Sequence, residues 1–437
     1  MRRSAVLAAV PLALTLALPA AGAPPATVTT DNETPVLYDD DEGGNASGDD
    51  PAIWVHPGDS RRSIVVVTAK EGGLRVYDLA SRELQSLPAT PAPRADGVDG
   101  RYNNVDIAYG VRVGGRTADV AVVSDRYNDQ LRFFTIDPAG SGAMTPLREV
   151  TAPEQEFLFN PDRVAVDDEQ TAYGVAVWQP GTGETYAVVT QEGTTTIATA
   201  RVTPRRDGTV GYTEVEHLDL PDRFPLPGGR TWIPCEEPGV APQLEGVAVD
   251  QRTGVLYATQ EDVGLWRIPL PLGPGGPRLI DTVADFGIDD VYDEETEECV
   301  PADPAQPGLG GPNLVADAEG VDVYYARGRV GYVIVSSQGD DRFAVYSTQG
   351  RNRSLGTFRI AGDGVDDVNG SDGLAVTNRV VGDYREGLLV THDEPETGPG
   401  VDPDRDATSF SYVDWGRIAD ALGLQVSTAA GNDPRLR

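Results

Sequence analysis

The chain has 437 residues, with 69 acidic against 35 basic side chains and a formal charge of −34. An acidic excess of that size repels phosphate backbones and anionic lipid, which excludes nucleic acid and membrane surfaces as partners. Fifty glycines, 34 prolines and a hydrophobic content of 39% describe a turn-rich, β-rich globular protein with enough apolar material for a core.

Residues 1–23 read as a secretory signal peptide: a basic start at Arg2 and Arg3, an apolar run broken by Pro11, and a small-residue end at Ala21-Gly22-Ala23. The broken run is short for a bilayer span, and no later stretch is long and apolar enough to make one. Export places the protein outside the cell and permits Cys235 and Cys299, the only two cysteines, to pair; two free thiols are the alternative. Residues 24–48 are polar and acidic, with the run Asp39-Asp40-Asp41-Glu42, and form a leader into a domain over 49–437.

From there the chain alternates short β-branched runs with turns rich in Gly, Pro and Asp, and one unit recurs six times. Each copy opens with a polar residue and a short apolar strand: DPAIW from Asp50, NVDIAYG from Asn104, YGVAVW from Tyr173, EGVAVD from Glu245, EGVDVYY from Glu319 and DGLAVTN from Asp372. A second apolar strand follows, ending in Thr or Ser and a polar tip: IVVVTAK, VAVVSDR, YAVVTQE, VLYATQE, YVIVSSQ and GLLVTHD. Third strands such as LRVYDL and LRFFTID come after most of them. Several antiparallel strands per unit at this period predict an all-β fold, a six-bladed β-propeller. YVDWGRIADALGL at 412–424 closes the chain as a short amphipathic helix with Trp415, Ile418 and Leu422 on one face.

First strands of a propeller surround its channel, so equivalent positions form a ring, and Asp50, Glu245, Glu319 and Asp372 are expected to converge there. The tips add Glu192, Glu261 and Asp393 together with two cations, Lys70 and Arg126. Carboxylates gathered without bases must protonate or bind cations. An all-oxygen site suits calcium, magnesium less so, and zinc would bring more histidine or cysteine than this chain has. Lys70 is the only lysine, so 34 of the 35 basic residues are arginine. A compact ammonium at such a tip suits a phosphate oxygen. Two insertions, 228–242 and 285–299, hold the cysteines, and a disulfide between them would fix two loops beside the acids.

DDPAIWVHP (49–57), YNNVDIAYG (102–110), DAEGVDVYYA (317–326) and YVIVSSQGDDRFAVY (332–346) together resemble the alkaline β-propeller phytases, over residues 33 to 424. The resemblance implies a secreted, calcium-dependent enzyme that hydrolyses the calcium complex of myo-inositol hexakisphosphate by attack of a calcium-activated water, without a covalent intermediate. It implies several calcium ions, with Asp50, Glu245, Glu261, Asp317, Glu319 and Asp372 as carboxylates of the cleavage site. Lys70, Arg126 and Tyr173 would contact phosphate, and Glu192 would belong to a neighbouring site for a second phosphate as well as to the metal ligands. Asp49, Asp366 and Asp393 would serve structural or site-edge ions. The chain departs from the family at Gln191-Glu192, where a Lys-Glu pair is usual, at His392-Asp393, where Gln-Asp is usual, and in its cysteine-bearing insertions. A calcium-stabilised binding propeller and a calcium-dependent lactonase or phosphotriesterase are the other readings. A closed propeller has little need of a partner chain, so a monomer is expected.

Overall fold

The second strand of each repeat is the key to the architecture. Ile64–Thr68 is buried along its whole length, and so are Val255–Gln260, Gly331–Ser337 and Leu388–Asp393. A strand with no solvated face has apolar neighbours on both sides. In the computed structural model, which describes residues 24–427 and 435 apart from 31, 40–44, 96, 141–144, 168–169, 274–275, 297 and 399, those neighbours are the flanking blades. Ile64 and Val66 pack toward blade two with Trp54, Ile107 and Val123, while Val65 and Val67 pack toward blade six with Leu388 and Val390. The same alternation recurs round the ring, so six apolar clusters fill the six interfaces between blades.

Each blade is a four-stranded antiparallel meander on this pattern. Blade one runs Pro51–Trp54, Ile64–Thr68, Leu74–Asp78 and Glu83–Leu87; blade two begins at Tyr102–Val113, blade three at Ala172–Trp178, blade four at Leu244–Asp250, blade five at Ala318–Tyr325 and blade six at Leu374–Thr377. The predicted six-bladed propeller is therefore the fold. The six first strands line a central cavity of about 730 Å³ that reaches from Asp50 to Asn378.

The stretch 24–48, expected as a leader, supplies strands to the body. Leu37–Tyr38 pairs with Ala407–Asp414 as the outermost strand of blade six, and Ala26–Thr30 adds a parallel fifth strand to blade five beside Ser354–Gly362. Alternating Val28 and Thr30 are its buried positions. The N-terminal segment thus clasps the two C-terminal blades and closes the ring. The signal-peptide reading of 1–23 lies outside the described residues.

The closing helix is shorter than expected, Trp415–Leu422, because Tyr412–Asp414 complete the last strand. Asp414 caps it by accepting from the Gly416 N–H at 2.8 Å, and Gly423 ends it at φ 64°. Trp415 stacks on Tyr324 at 4.2 Å between ring centroids, with Ile418 buried beside it. The two insertions meet as expected. Cys235 and Cys299 are bonded, and Arg230 donates to the Gly287 carbonyl at 3.0 Å and Trp232 to that of Ile288 at 2.6 Å. Phe224, Trp232 and Phe286 form the aromatic contact beneath them. No helix among the described residues is long and apolar enough to cross a membrane.

Candidate active site

The convergence of the leading residues is set by the glycine that follows four of them. A β-carbon on Gly174 would lie 1.9 Å from the Glu245 carbonyl oxygen, on Gly246 2.4 Å from that of Glu319, on Gly320 2.4 Å from that of Asp372, and on Gly373 2.5 Å from Cα of Asp50. Only glycine admits so close an approach of two backbones. Blades three, four, five, six and one are thereby locked residue to residue, and their leading side chains share one mouth.

The Thr or Ser ending each second strand has a matching task. Thr259 Oγ1 donates to the Glu319 carbonyl of the next blade at 2.7 Å, Thr68 Oγ1 to that of Asn103 at 2.5 Å, and Ser336 Oγ to that of Ser371 at 2.7 Å. Thr190 Oγ1 accepts from the Gly174 N–H at 2.8 Å, and Ser124 Oγ from that of Asn104 at 3.0 Å. These hydroxyls satisfy backbone groups that the channel would otherwise leave bare.

Glu245, Glu261 and Glu319 bring carboxylate oxygens within 4.8 Å of one another, and all three are more than nine-tenths buried, as are Asp49 and Asp50. Asn103 Nδ2 donates to Glu245 at 2.9 Å and Gln243 Nε2 to Glu261 at 2.8 Å. Asp372 accepts from Gln338 Nε2 at 2.5 Å, while His392 Nδ1 takes the Asp372 backbone N–H at 3.2 Å. Asp50 spends one oxygen on the Val105 N–H at 3.0 Å. Asp317 stands half-buried next to the Glu245 field and accepts the Gln338 N–H on its backbone carbonyl at 2.9 Å.

Cations stand on one side of this ring. Lys70 holds a left-handed backbone, φ 46°, which a lysine rarely adopts, and its Nζ lies 3.7 Å from Asp49 and 3.8 Å from Asp372. Arg126 sits over the Tyr173 ring, 5.1 Å from the centroid, and its Nε donates to Glu192 at 2.5 Å. Glu192 is therefore an ion-pair partner of Arg126 in this structure.

Asp366 and Asp393 belong to a separate group, with Glu33 and Glu396, whose oxygens also lie within 4.8 Å of one another. Asp393 accepts from the Asn369 N–H at 2.9 Å and Asp366 from Thr397 at 2.6 Å. Sequence reasoning missed Glu33 and Glu396. Glu396 follows Asp393 closely in HDEPE and could have been picked out; Glu33, at the other end of the chain, had no such signal. A third group joins Asp372 to His392 and Glu394.

Burial is the main cause of the shift in several of these carboxyls. It pushes the carboxyls of Asp49, Asp50, Glu261 and Glu319 well up, and their acidic neighbours push them further, Glu245 first for Asp49 and Glu319 and Asp317 first for Glu261. Asp372 rises to about 8 and Asp393 to about 9, burial being the main cause in both. Burial works against the Lys70 ammonium, but Asp49 and Asp372 outweigh it and hold its pKa above the ordinary value. Burial and the Lys70 charge take His392 down to about 3, so it is neutral.

Buried carboxylates normally find donors. Here Asp49 Oδ1, Glu261 Oε1, Glu319 Oε2, Asp366 Oδ1, Asp393 Oδ2 and Glu396 Oε2 are buried with no hydrogen bond. Open, hard oxygen donors in that number fit divalent cations of the calcium type. The molecule is thus a six-bladed propeller with buried carboxylate clusters at its channel mouth that could hold a metal ion, and with Lys70 and Arg126 beside them.

The family model for phytases matches residues 3–197 and 301–436, which leaves out the outer strands of blade three, all of blade four and both insertions. The chain belongs to the phytase family. It is 29% identical over 406 residues to the 3-phytase of Bacillus subtilis (strain 168), an alignment covering 91% of this chain and 85% of that protein. Among solved structures it is similar to a chain of the crystal structure of BBS1N in complex with ARL6DN, soaked with mercury, at 9% identity and a TM-score of 0.37, covering 80% of this chain and 74% of that one.

Proposed function

We propose that this chain is an exported, calcium-dependent phytase that removes phosphate from myo-inositol hexakisphosphate presented as its calcium salt, and that it acts as a monomer. The observation that carries the reading is the coincidence, in one mouth, of buried carboxylate oxygens without donors and of Lys70 and Arg126. A structural calcium site has no use for those cations, which is why a binding-only propeller is the weaker reading. Family membership favours a phosphomonoesterase over a lactonase or phosphotriesterase.

Glu245, Glu261, Glu319, Asp372, Asp317, Asp49 and Asp50 would hold calcium at the mouth, and Glu33, Asp366, Asp393 and Glu396 would hold it at the second group. Bound calcium would supply positive charge against the substrate phosphates and lower the pKa of water in the site. The chain's own residues do the rest. Lys70 presents N–H donors between Asp49 and Asp372, placed for a phosphoryl oxygen as charge develops on it. Arg126 offers a planar fork that stacking on Tyr173 keeps in one orientation, with Glu192 as the partner it exchanges for phosphate. Asn103, Gln243 and Gln338 fix the rotamers of Glu245, Glu261 and Asp372.

The test is phosphate release from sodium phytate by chelated protein, with and without millimolar calcium chloride, with melting followed in the same samples. Release only with calcium is expected. Higher melting without any release would leave a binding module, and release indifferent to chelation would refute the carboxylate centre.

A further inference from the structure

The peptide that leads into Asp372 is gripped at both ends by neighbouring blades. Its carbonyl, that of Ser371, accepts from Ser336 Oγ of blade five at 2.7 Å. Its N–H, that of Asp372, donates to His392 Nδ1 of blade six at 3.2 Å. The next residue leaves the backbone no room to shift, since a β-carbon on Gly373 would lie 2.5 Å from Cα of Asp50. The orientation of the 371–372 peptide plane is then the remaining freedom, and it sets where Asp372 carries its carboxylate.

His392 is built to hold that plane. Its own N–H donates to the Gly373 carbonyl at 3.0 Å, and its ring is fully buried, edge-on to Phe410. Gly48 makes room for both rings: a β-carbon there would lie 2.9 Å from Phe410 and 3.1 Å from the imidazole. A nitrogen that accepts an N–H keeps its lone pair for that bond, so the uncharged ring carries its proton on the other nitrogen, Nε2. Nε2 is buried without a hydrogen bond, and the Glu394 carboxylate lies 3.9 Å from it. That separation is too long for a hydrogen bond, but the negative charge favours the proton on Nε2 and leaves Nδ1 as the acceptor. Glutamine, usual at this place in the phytase family, also has an oxygen that can accept the same N–H.

We propose that His392 is a positioning residue of the mouth: by accepting the Asp372 N–H it fixes the direction in which Asp372 presents its carboxylate to a divalent cation, and Glu394 keeps the ring in the accepting tautomer. The proposal rests on the calcium reading of the mouth. Asp372 needs such a support because its side-chain partners pull in two directions, Gln338 on one oxygen at 2.5 Å and Lys70 toward the other from 3.8 Å. A backbone N–H without its acceptor would turn to find another, and the carboxylate would turn with it.

The experiment uses the full chain, chelated and then titrated with calcium chloride. His392→Leu, His392→Gln, Glu394→Gln and the double variant His392→Gln with Glu394→Gln are compared with the parent. Calorimetric calcium affinity, the calcium concentration that half-saturates phosphate release from phytate, KM for phytate and melting temperature are measured. His392→Leu is expected to weaken calcium affinity and raise the half-saturating calcium about ten-fold, with KM at saturating calcium within about two-fold. His392→Gln, which keeps an acceptor, stays within about three-fold of the parent. Glu394→Gln loses about three-fold, and that loss vanishes in the double variant because Glu394 acts through the ring. Unchanged calcium affinity in His392→Leu, or equal losses in the Leu and Gln variants, would reduce His392 to packing against Phe410 and overturn the proposal. A Glu394 loss that persists in the double variant would make Glu394 a ligand in its own right and overturn its part. Should His392→Leu fail to fold, the Gln variants and their double carry the test. A parent that binds calcium but releases no phosphate sinks the phytase reading instead, and calcium affinity still judges His392 separately.

Discussion

The two ends of the central channel use the same residue type to opposite purpose. Away from the mouth, Asp106 accepts from the Ile107 N–H at 2.6 Å and from the Val177 N–H of blade three at 2.7 Å. Asp322 repeats the arrangement with the N–H groups of Val323 and, in blade six, Val376, at 2.6 and 2.7 Å. Both oxygens of each carboxylate are answered by backbone, and the side chain stitches one blade to the next. At the mouth, Glu261 and Glu319 each keep a buried oxygen with no donor. Asp50 is intermediate, with one oxygen on the Val105 N–H in the stitching manner. An aspartate on a first strand is thus structural where the neighbouring backbone turns its N–H groups toward it, and open to a ligand where carboxylates face one another.

The largest break in that contrast is expected from the mouth. Glu319→Gln and Asp372→Asn should lower turnover by about two orders of magnitude or more while the fold is retained, measured as phosphate release beside circular dichroism. Full activity in both would remove the ring from the chemistry. Stability should respond to pH in the direction the buried acids dictate. A carboxyl whose folded pKa lies above its unfolded value, about 4, favours folding fully below that value and loses its contribution as pH rises through the folded one. For the chelated protein, melting temperature should therefore fall as pH goes from about 4 through the values near 8 and 9 of Asp372 and Asp393, and calcium should flatten the decline. A rising curve for the chelated protein would contradict the donor-poor description of the site.

The stitching carboxylates give the opposite signature. Asp322→Ala should cost about 2 kcal/mol of stability, read from denaturant melts, and leave kcat within about two-fold. The disulfide lies between in kind: it ties insertions 64 residues apart in sequence beside the mouth. Cys235→Ser with Cys299→Ser should cost roughly 2 kcal/mol or more by the loop it opens, with a loss of activity confined to KM. The smallest effect is expected from Thr259→Val. It removes the hydroxyl that supports the Glu319 carbonyl, for about 1 kcal/mol and a few-fold loss in turnover.

Much of this was legible in the linear chain because a propeller writes its fold as a period. Leading polar residues at intervals of 54, 69, 72, 74 and 53 residues predicted six units. The same register predicts that Asp50, Glu245, Glu319 and Asp372 share one mouth, since identical strands in a closed ring present identical positions to the axis. Lys70 was visible by its rarity. Two lone cysteines in two insertions spoke to their own pairing.

What the tertiary structure decided is whatever depends on contacts without a period. Glu33 meets Asp366, Asp393 and Glu396 only because residues 24–48 fold back as strands on blades five and six. That docking pairs the two ends of the chain, and no repeat announces it. The division between stitching and open carboxylates is equally tertiary: Asp322 and Glu319 sit three residues apart on one strand, and only the neighbouring blade determines which of them finds an N–H. Sequence sets which side chains face the axis; what each one meets there is set by the strand that the closed ring brings alongside.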